Sequence, residues 1–335
     1  MLPIKIKSTG IYAPGDPISN QELMQLTGAE LDAEKLEKKL GIKQRHMAHL
    51  RGIEETTADF ATLAGKQAID NAGIHPDEVG LFIVASDTPE YISPATTIVV
   101  QGRIQGKEKW TSGFDVNASC ASFAIAFDNA ARIMATDETI KYALVIGVYN
   151  MPAYLRTDDY FGHSIFADGA GAFLLERNTD DKQGYINGQN LTDGTQYDYI
   201  GVYAGGTKMP VTTEILEQGK QGLLSLKPLP GDRNVRLWPM VVEHLLEKTH
   251  TKLNEVDHFI FTQINKFVIK QVMEALNLPI EKTSFSMDKY GYTGSACLPI
   301  TFHEAEKAGK IKRGDKIMMV ASGAGLAVGS NLFTY

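Results

Sequence analysis

Apolar and polar positions along the chain fall into two alternating kinds of stretch. Continuous apolar runs at Val79–Ala85 (VGLFIVA) and at residues 142–148 (YALVIGV) have the pattern of strands covered on both faces. Around them lie segments with helical spacing. Residues 57–71 are amphipathic and are followed by the stop Gly73; residues 94–104 read as helical; residues 121–134 (ASFAIAFDNAARIM) are alanine-rich without glycine or proline. Nearer the start, residues 3–11 read as a strand closed by APGDP. Ser19 or Asn20 can cap a short helix through Leu26, and residues 31–40 form another helix that stops at Gly41. The basic run Lys43-Gln44-Arg45-His46 then reads as a solvated turn. The alternation predicts an α/β sandwich.

Phe114, Val116 and Ala118 alternate as in a half-buried strand and run directly into the helix at 121–134, which puts Cys120 at the strand-to-helix turn, on the first turn of that helix. Unpaired amides and the positive end of the helix dipole point at such a position and favour a thiolate. Two readings stay open from these residues: a nucleophile, or a small buried residue of the core. Composition narrows the setting. Hydrophobic residues make up 43% and charged residues 22%, as in a soluble protein with a full core. A net charge of -7 argues against bulk attraction to nucleic acid or anionic membrane. Cys120 and Cys297 are the only cysteines, too few for a disulfide framework and in keeping with a reducing compartment. The opening MLPIKIKSTG lacks the apolar core of a signal peptide, and no apolar run approaches the roughly 18 residues a membrane helix needs. A cytoplasmic protein is expected.

The second half echoes the first. Asp77-Glu78-Val79-Gly80-Leu81-Phe82-Ile83 has a counterpart in Asn254-Glu255-Val256-Asp257-His258-Phe259-Ile260, and Asp168-Gly169-Ala170-Gly171-Ala172 in Ser322-Gly323-Ala324-Gly325-Leu326. Residues 283–288 fall where the strand before Cys120 falls in the first half. Two related units are therefore expected, residues 1–178 carrying Cys120 and residues 184–335, with a cleft between them. The second unit has no cysteine at its turn, and Cys297 lies inside the following helix as a core residue.

Taken together, Gly41-Ile42-Lys43-Gln44-Arg45-His46, Asp115-Val116-Asn117-Ala118-Ser119-Cys120-Ala121-Ser122-Phe123, Phe166-Ala167-Asp168-Gly169-Ala170-Gly171-Ala172, Gly291-Tyr292-Thr293-Gly294-Ser295-Ala296 and the final Ser322-Gly323-Ala324-Gly325-Leu326 loop resemble the thiolase superfamily, and most of all the β-ketoacyl-acyl-carrier-protein synthase III family. The resemblance implies duplicated βαβαβαββ halves in a layered αβαβα sandwich. It also implies ping-pong acyl transfer through Cys120, from acyl-coenzyme A or an acyl-carrier protein, with no bound cofactor. The backbone amides of Cys120 and Leu326 would form the oxyanion hole.

The same alignment shows departures. The family's histidine, in a His-Gln-Ala-Asn stretch, falls on Thr262, and its asparagine, in a Gly-Asn-Thr-Ser stretch, on Tyr292. Both replacements carry hydroxyl donors, but neither is a base near neutral pH, so decarboxylative condensation is put in doubt while acylation of Cys120 is not. The adenine-stacking tryptophan and arginine fall on Lys35 and Tyr160, and the phenylalanine that closes the acyl pocket across the dimer falls on Ser93. These imply a weaker grip on coenzyme A and room for a bulkier acyl chain.

His163 before the Phe166 strand reads as a core or loop histidine sooner than as a replacement base, and Asp168-Gly169-Ala170-Gly171 as a tight turn, since it lacks phosphate-loop spacing. No cluster has zinc spacing, so no metal is expected. Lys266 and Lys270 read as a solvated face, or as part of a docking patch for an acidic carrier. Three functions follow: an acyltransferase of the synthase III type, a silent partner subunit of an active homologue, or an acyl-binding module. The expected assembly is a homodimer, with a heterodimer as the alternative.

Overall fold

The computed structural model describes residues 1–178 and 183–335. It has two principal sheets. Strands β1 (Ile4–Tyr12), β2 (Val79–Ala85), β3 (Ser112–Val116), β4 (Tyr142–Tyr149) and β5 (Gly169–Arg177) form one sheet in the order β1-β5-β4-β2-β3. Strands β6 (Gly184–Gln196), β7 (His258–Phe261), β8 (Lys316–Gly323) and β9 (Gly325–Thr334) form the other, in the order β6-β9-β8-β7. The senses match as well. The β4–β2 and β2–β3 pairs are parallel and the β5 pairs antiparallel; β8–β7 is parallel and both β9 pairs are antiparallel. Even the counterpart of β3 survives, reduced to a parallel bridge between Thr283 and Phe259.

Helices fill three layers. Helices α1 (Thr57–Ala72) and α2 (Thr96–Gln105) cover the outer face of the first sheet, and α3 (Ser122–Thr136) lies between the sheets. Helix α4 (Arg233–Thr249), with α5 (Lys266–Ala275) against it, covers the outer face of the second sheet, and α6 (Cys297–Lys307) joins α3 in the middle. This is why VGLFIVA is apolar throughout: Phe82 and Val84 pack outward under Val100 and Ile104, while Leu81, Ile83 and Ala85 pack inward with Phe123, Phe127 and the rest of α3.

Several elements depart from expectation for local reasons. The helix expected at 31–40 begins only at Ala33, because Asp32 caps the Lys35 amide at 2.9 Å and Leu31 packs against the small Ile18–Leu23–Met47 cluster; its last turn, Leu36–Leu40, is a π-turn ended by Gly41. The helix expected from 94 starts at Thr96. Its cap comes from the neighbouring strand, where the Asp115 carboxylate accepts the Thr96 and Thr97 amides at 2.7 and 2.8 Å. The Lys43–His46 run is no solvated turn. Arg45 is fully buried and donates to the carbonyls of Ser164 (2.8 Å) and Ile18 (3.3 Å), and His46 is buried beside the carbonyls of Pro14 and Gly15. A guanidinium carrying five donors can be buried where carbonyls converge, which charge patterning does not reveal.

Candidate active site

Strand β3 ends at Val116 and helix α3 begins at Ser122, and the five residues between them make a tight, self-bonded turn. Ser119 adopts a left-handed φ of 49°, a conformation that costs a non-glycine residue about 1–2 kcal/mol. Hydrogen bonds hold it there. The Ser119 carbonyl accepts from the Ser122 hydroxyl and, at 3.1 Å, from the Ser295 hydroxyl of the second half; the Ala118 amide donates to Ser122 Oγ at 2.8 Å. The turn presents Cys120 at one end of a cavity of about 270 Å³.

Cys120 therefore stands one residue before the helix cap, Ala121, and not on the first helical turn as expected from sequence. The amides of Ala121 and Ser122 are occupied within the turn, by the carbonyls of Ala118 and Ser119. The thiol is not stabilised as a thiolate either: desolvation pushes it well above its usual range, the nearby Asp87 carboxylate adds to that, and hydrogen bonds donated by the Tyr292 and Tyr149 hydroxyls oppose it. Cys297, the first residue of α6, is fully buried, and desolvation lifts its thiol to about 12.

Two tyrosines frame the sulfur. Tyr292 is buried with its ring 5.9 Å from Phe166 and 6.2 Å from Tyr149, and its backbone is tied to β5's approach by Tyr292 N–H to Ile165 O and Ala167 N–H to Tyr292 O. Gly294 makes room for this pair: at φ 44°, a Cβ there would lie 2.2 Å from the Tyr149 ring. Thr262, at the end of β7, is buried; its hydroxyl oxygen accepts the Ser322 amide at 3.0 Å, leaving its own proton for the cavity that it lines.

The loop between β8 and β9 closes the opposite side. Gly323 presses on the nucleophile turn so closely that a Cβ would meet Ala118 O at 2.5 Å and Cys120 N at 2.8 Å. Leu326, expected from sequence to supply the second oxyanion donor, keeps its side chain in the core, and Ser322 to Ala324 are the residues of this loop that line the cavity.

Other expected residues lie elsewhere. Ser93 is exposed on a surface loop and outside this subunit's own cavity wall; Lys35 and Tyr160 are also exposed. Lys270 is exposed, while Lys266 rests against Gly41 with its ammonium 4.9 Å from the Phe285 ring centroid. His163 is buried, its Nε2 3.2 Å from the Arg156 carbonyl, and it does not line the cavity. Asp168 is buried in the turn before β5, accepting the Ala48 amide and the Asn150 side-chain amide at 2.7 Å each. Its carboxyl is raised by desolvation to about 7. Among the described residues, no group of three or more His, Cys, Asp or Glu is placed to hold a metal ion, and no helix is long and apolar enough to cross a membrane.

Sequence reasoning missed Asp87, Tyr149, Arg233 and Asn234, which all line the cavity. Asp87 and Tyr149 follow or end the two apolar parallel strands β2 and β4. The carboxyl ends of such strands are where sites gather in α/β sheets, and that signal was available. Arg233 and Asn234 open α4 and carry no comparable mark.

The comparisons with known proteins agree with this architecture. A family model for 3-oxoacyl-[acyl-carrier-protein (ACP)] synthase III matches residues 114–194, and one for the C terminal of the same synthase matches residues 246–335. The β-ketoacyl-[acyl-carrier-protein] synthase III of Aliarcobacter butzleri is 33% identical over 100% of this chain and 98% of its own length. That of Aquifex aeolicus is 33% identical over 99% of both chains. The chain belongs to the 3-oxoacyl-[acyl-carrier-protein] synthase III family. The crystal structure of the Aquifex aeolicus synthase III superposes with a TM-score of 0.85 at 31% identity, covering 99% of this chain and 100% of that one. The fold is thus the thiolase-like sandwich, and the chain is an acyl-transferring enzyme of the synthase III type. Thr262 and Tyr292 both line the cavity that holds Cys120.

Proposed function

We propose that the chain takes an acyl group from a coenzyme A or carrier-protein thioester onto Cys120 and hands it to an acceptor other than a decarboxylating malonyl carrier. The observation that supports this reading is the company of the sulfur. Cys120 shares the cavity wall with Tyr149 and Tyr292, while no histidine lines the cavity among the described residues. The Cys120 amide and an amide of the adjoining Gly323–Ala324 turn would hold the thioester oxygen as it becomes negative, a role that depends on backbone donors fixed in place. Thr262 and Tyr292 offer hydroxyl protons, enough to orient a carbonyl but unable to act as a base.

Donors carried on a protein fit better than free coenzyme A, given a lysine and a tyrosine where the family stacks adenine. We place the carrier's docking face on α5, where Lys270 is exposed and Ile264, just upstream, lines the cavity. The test is intact-protein mass spectrometry after incubation with acyl-coenzyme A and acyl-carrier donors of several lengths. Gain of one acyl mass, mapped to the Cys120 peptide, is expected; the absence of any adduct would refute the proposal.

We also propose a homodimer. Strand β3 is the open edge of the first sheet, and beside it Trp110, Ile92 and Tyr91 are 105%, 82% and 55% exposed. An uncovered edge with large apolar neighbours is an assembly surface by default. Dimerisation there would carry the Ser93 loop to the neighbouring subunit's acyl pocket. Sedimentation is expected to give a dimer at micromolar concentration. A monomer would refute this, and solubility only with a coexpressed homologue would shift the case to the silent-subunit reading.

A further inference from the structure

If Cys120 is acylated, its proton has to leave. A synthase III with a histidine in the cavity has an obvious acceptor; among the described residues, no histidine lines this one. Taken in turn, the titratable groups around the sulfur exclude themselves. The hydroxyls of Tyr149 and Tyr292 are pushed far above their ordinary range by burial and by the Cys120 charge, so they hold their protons. Arg233 is a cation. Thr262, Ser322 and Asn234 have no basicity at all near neutral pH.

One group remains. Asp87 follows β2 by two residues and lines the same cavity as Cys120. Its Oδ1 is buried and has no hydrogen-bond partner, and Ser119, the residue before the nucleophile, lies beside its carboxylate. An unsatisfied buried carboxylate oxygen is costly and calls for an explanation.

Resting on the acyl-transfer reading above, we propose that Asp87 is the general base of this enzyme, accepting the Cys120 proton as the sulfur attacks the thioester. The S–H bond breaks and an O–H bond forms on Asp87 as the new S–C bond is made. Collapse of the tetrahedral adduct expels the donor's thiolate, which takes the proton back from Asp87. The products are acyl-Cys120 and a free donor thiol, and Asp87 returns to its carboxylate form. Transfer in concert with attack suits a thiol that resists ionisation alone, since its acidity rises as the S–C bond forms.

Electrostatics support the role. Burial lifts the Asp87 carboxyl to about 6, so it is ionised at neutral pH yet far more basic than a surface carboxylate. The titratable groups beside it or in the same cavity wall are Cys120 on the turn after β3, Tyr149 ending β4, Tyr154 just beyond, Arg233 opening α4 and Tyr292 before α6. Cys120, Tyr149 and Tyr154 all feel its charge. None of these partners titrates between mildly acidic and neutral pH.

The test uses hexanoyl-N-acetylcysteamine, a small thioester that needs no carrier docking, with the full-length protein and mass-spectrometric single-turnover rates. Wild-type acylation is expected to rise with pH about a midpoint near 6. Asp87→Asn should slow it by about 100-fold or more and abolish that rise, and Asp87→Glu should retain the rise. Iodoacetamide alkylation of Cys120 at alkaline pH, where hydroxide replaces the base, should be no slower in Asp87→Asn than in wild type, which shows a folded and open site. Acylation of Asp87→Asn at the wild-type rate, or faster acylation from removal of a repelling charge, would overturn the role of Asp87 alone. If Asp87→Asn does not fold, a wild-type profile without the rise near 6 overturns it. A wild type that takes no acyl group from this or any donor overturns the acyl-transfer reading, and Asp87's role with it.

Discussion

Cys120→Ala is expected to abolish the acyl adduct completely, whereas Cys297→Ala should leave it unchanged. The two thiols differ in reach more than in intrinsic chemistry. Both are raised by burial, but Cys120 opens onto the cavity and lies against the Gly323 turn, while Cys297 is fully enclosed at the start of α6. No thioester reaches Cys297 without unfolding the middle layer. Intact mass after incubation with the donor panel is the measurement, and an acyl mass shift persisting in Cys120→Ala would refute the assignment. Because Cys120→Ala removes a single sulfur from a half-buried turn, its melting temperature should stay near that of wild type, so loss of the adduct will report chemistry and not collapse.

The second large effect is a gain. Thr262→His together with Tyr292→Asn should raise carbon dioxide release from a malonyl carrier by about 100-fold or more, the scale on which single oxyanion donors act. Thr262 and Tyr292 line the cavity that holds Cys120, so a histidine and an asparagine in their places would face the same thioester. A cost accompanies it. Tyr292 is buried against Phe166 and Tyr149, and emptying that space should lower stability by roughly 3–5 kcal/mol before any repacking. Decarboxylation and thermal unfolding should therefore be measured on the same preparations. A wild-type protein that already condenses malonyl carrier at about 1 per second or faster would sink the idea and make the two hydroxyls working donors.

Much of this molecule can be read in its sequence. The doubly covered strands and the turn carrying Cys120 follow from periodicity, because burial on both faces forces unbroken apolar runs. What escaped was set by partners distant in the chain. Asp115 caps α2 from a neighbouring strand, Arg45 satisfies carbonyls of residues 18 and 164, and Ser295 reaches across the halves to hold Ser119. The helix-start expectation for Cys120 failed for a related reason: local chain direction predicts a dipole, whereas the thiol responds to everything that excludes water from it. Asp87 lies just past a doubly covered strand, where sites gather, but only folding brings its carboxylate into the cavity that holds Cys120.

The protonated state of Cys120 also bears on survival of the enzyme in an oxidising cell. Peroxide and soft electrophiles react with thiolates, so cysteines that are ionised at rest are the ones lost to sulfenic acid and its irreversible successors. A sulfur kept as a thiol by burial and by a neighbouring carboxylate is slow prey for such reagents. If its nucleophilicity appears only while a thioester is present to receive it, the resting enzyme should outlast an enzyme whose cysteine is ionised at rest under oxidative stress.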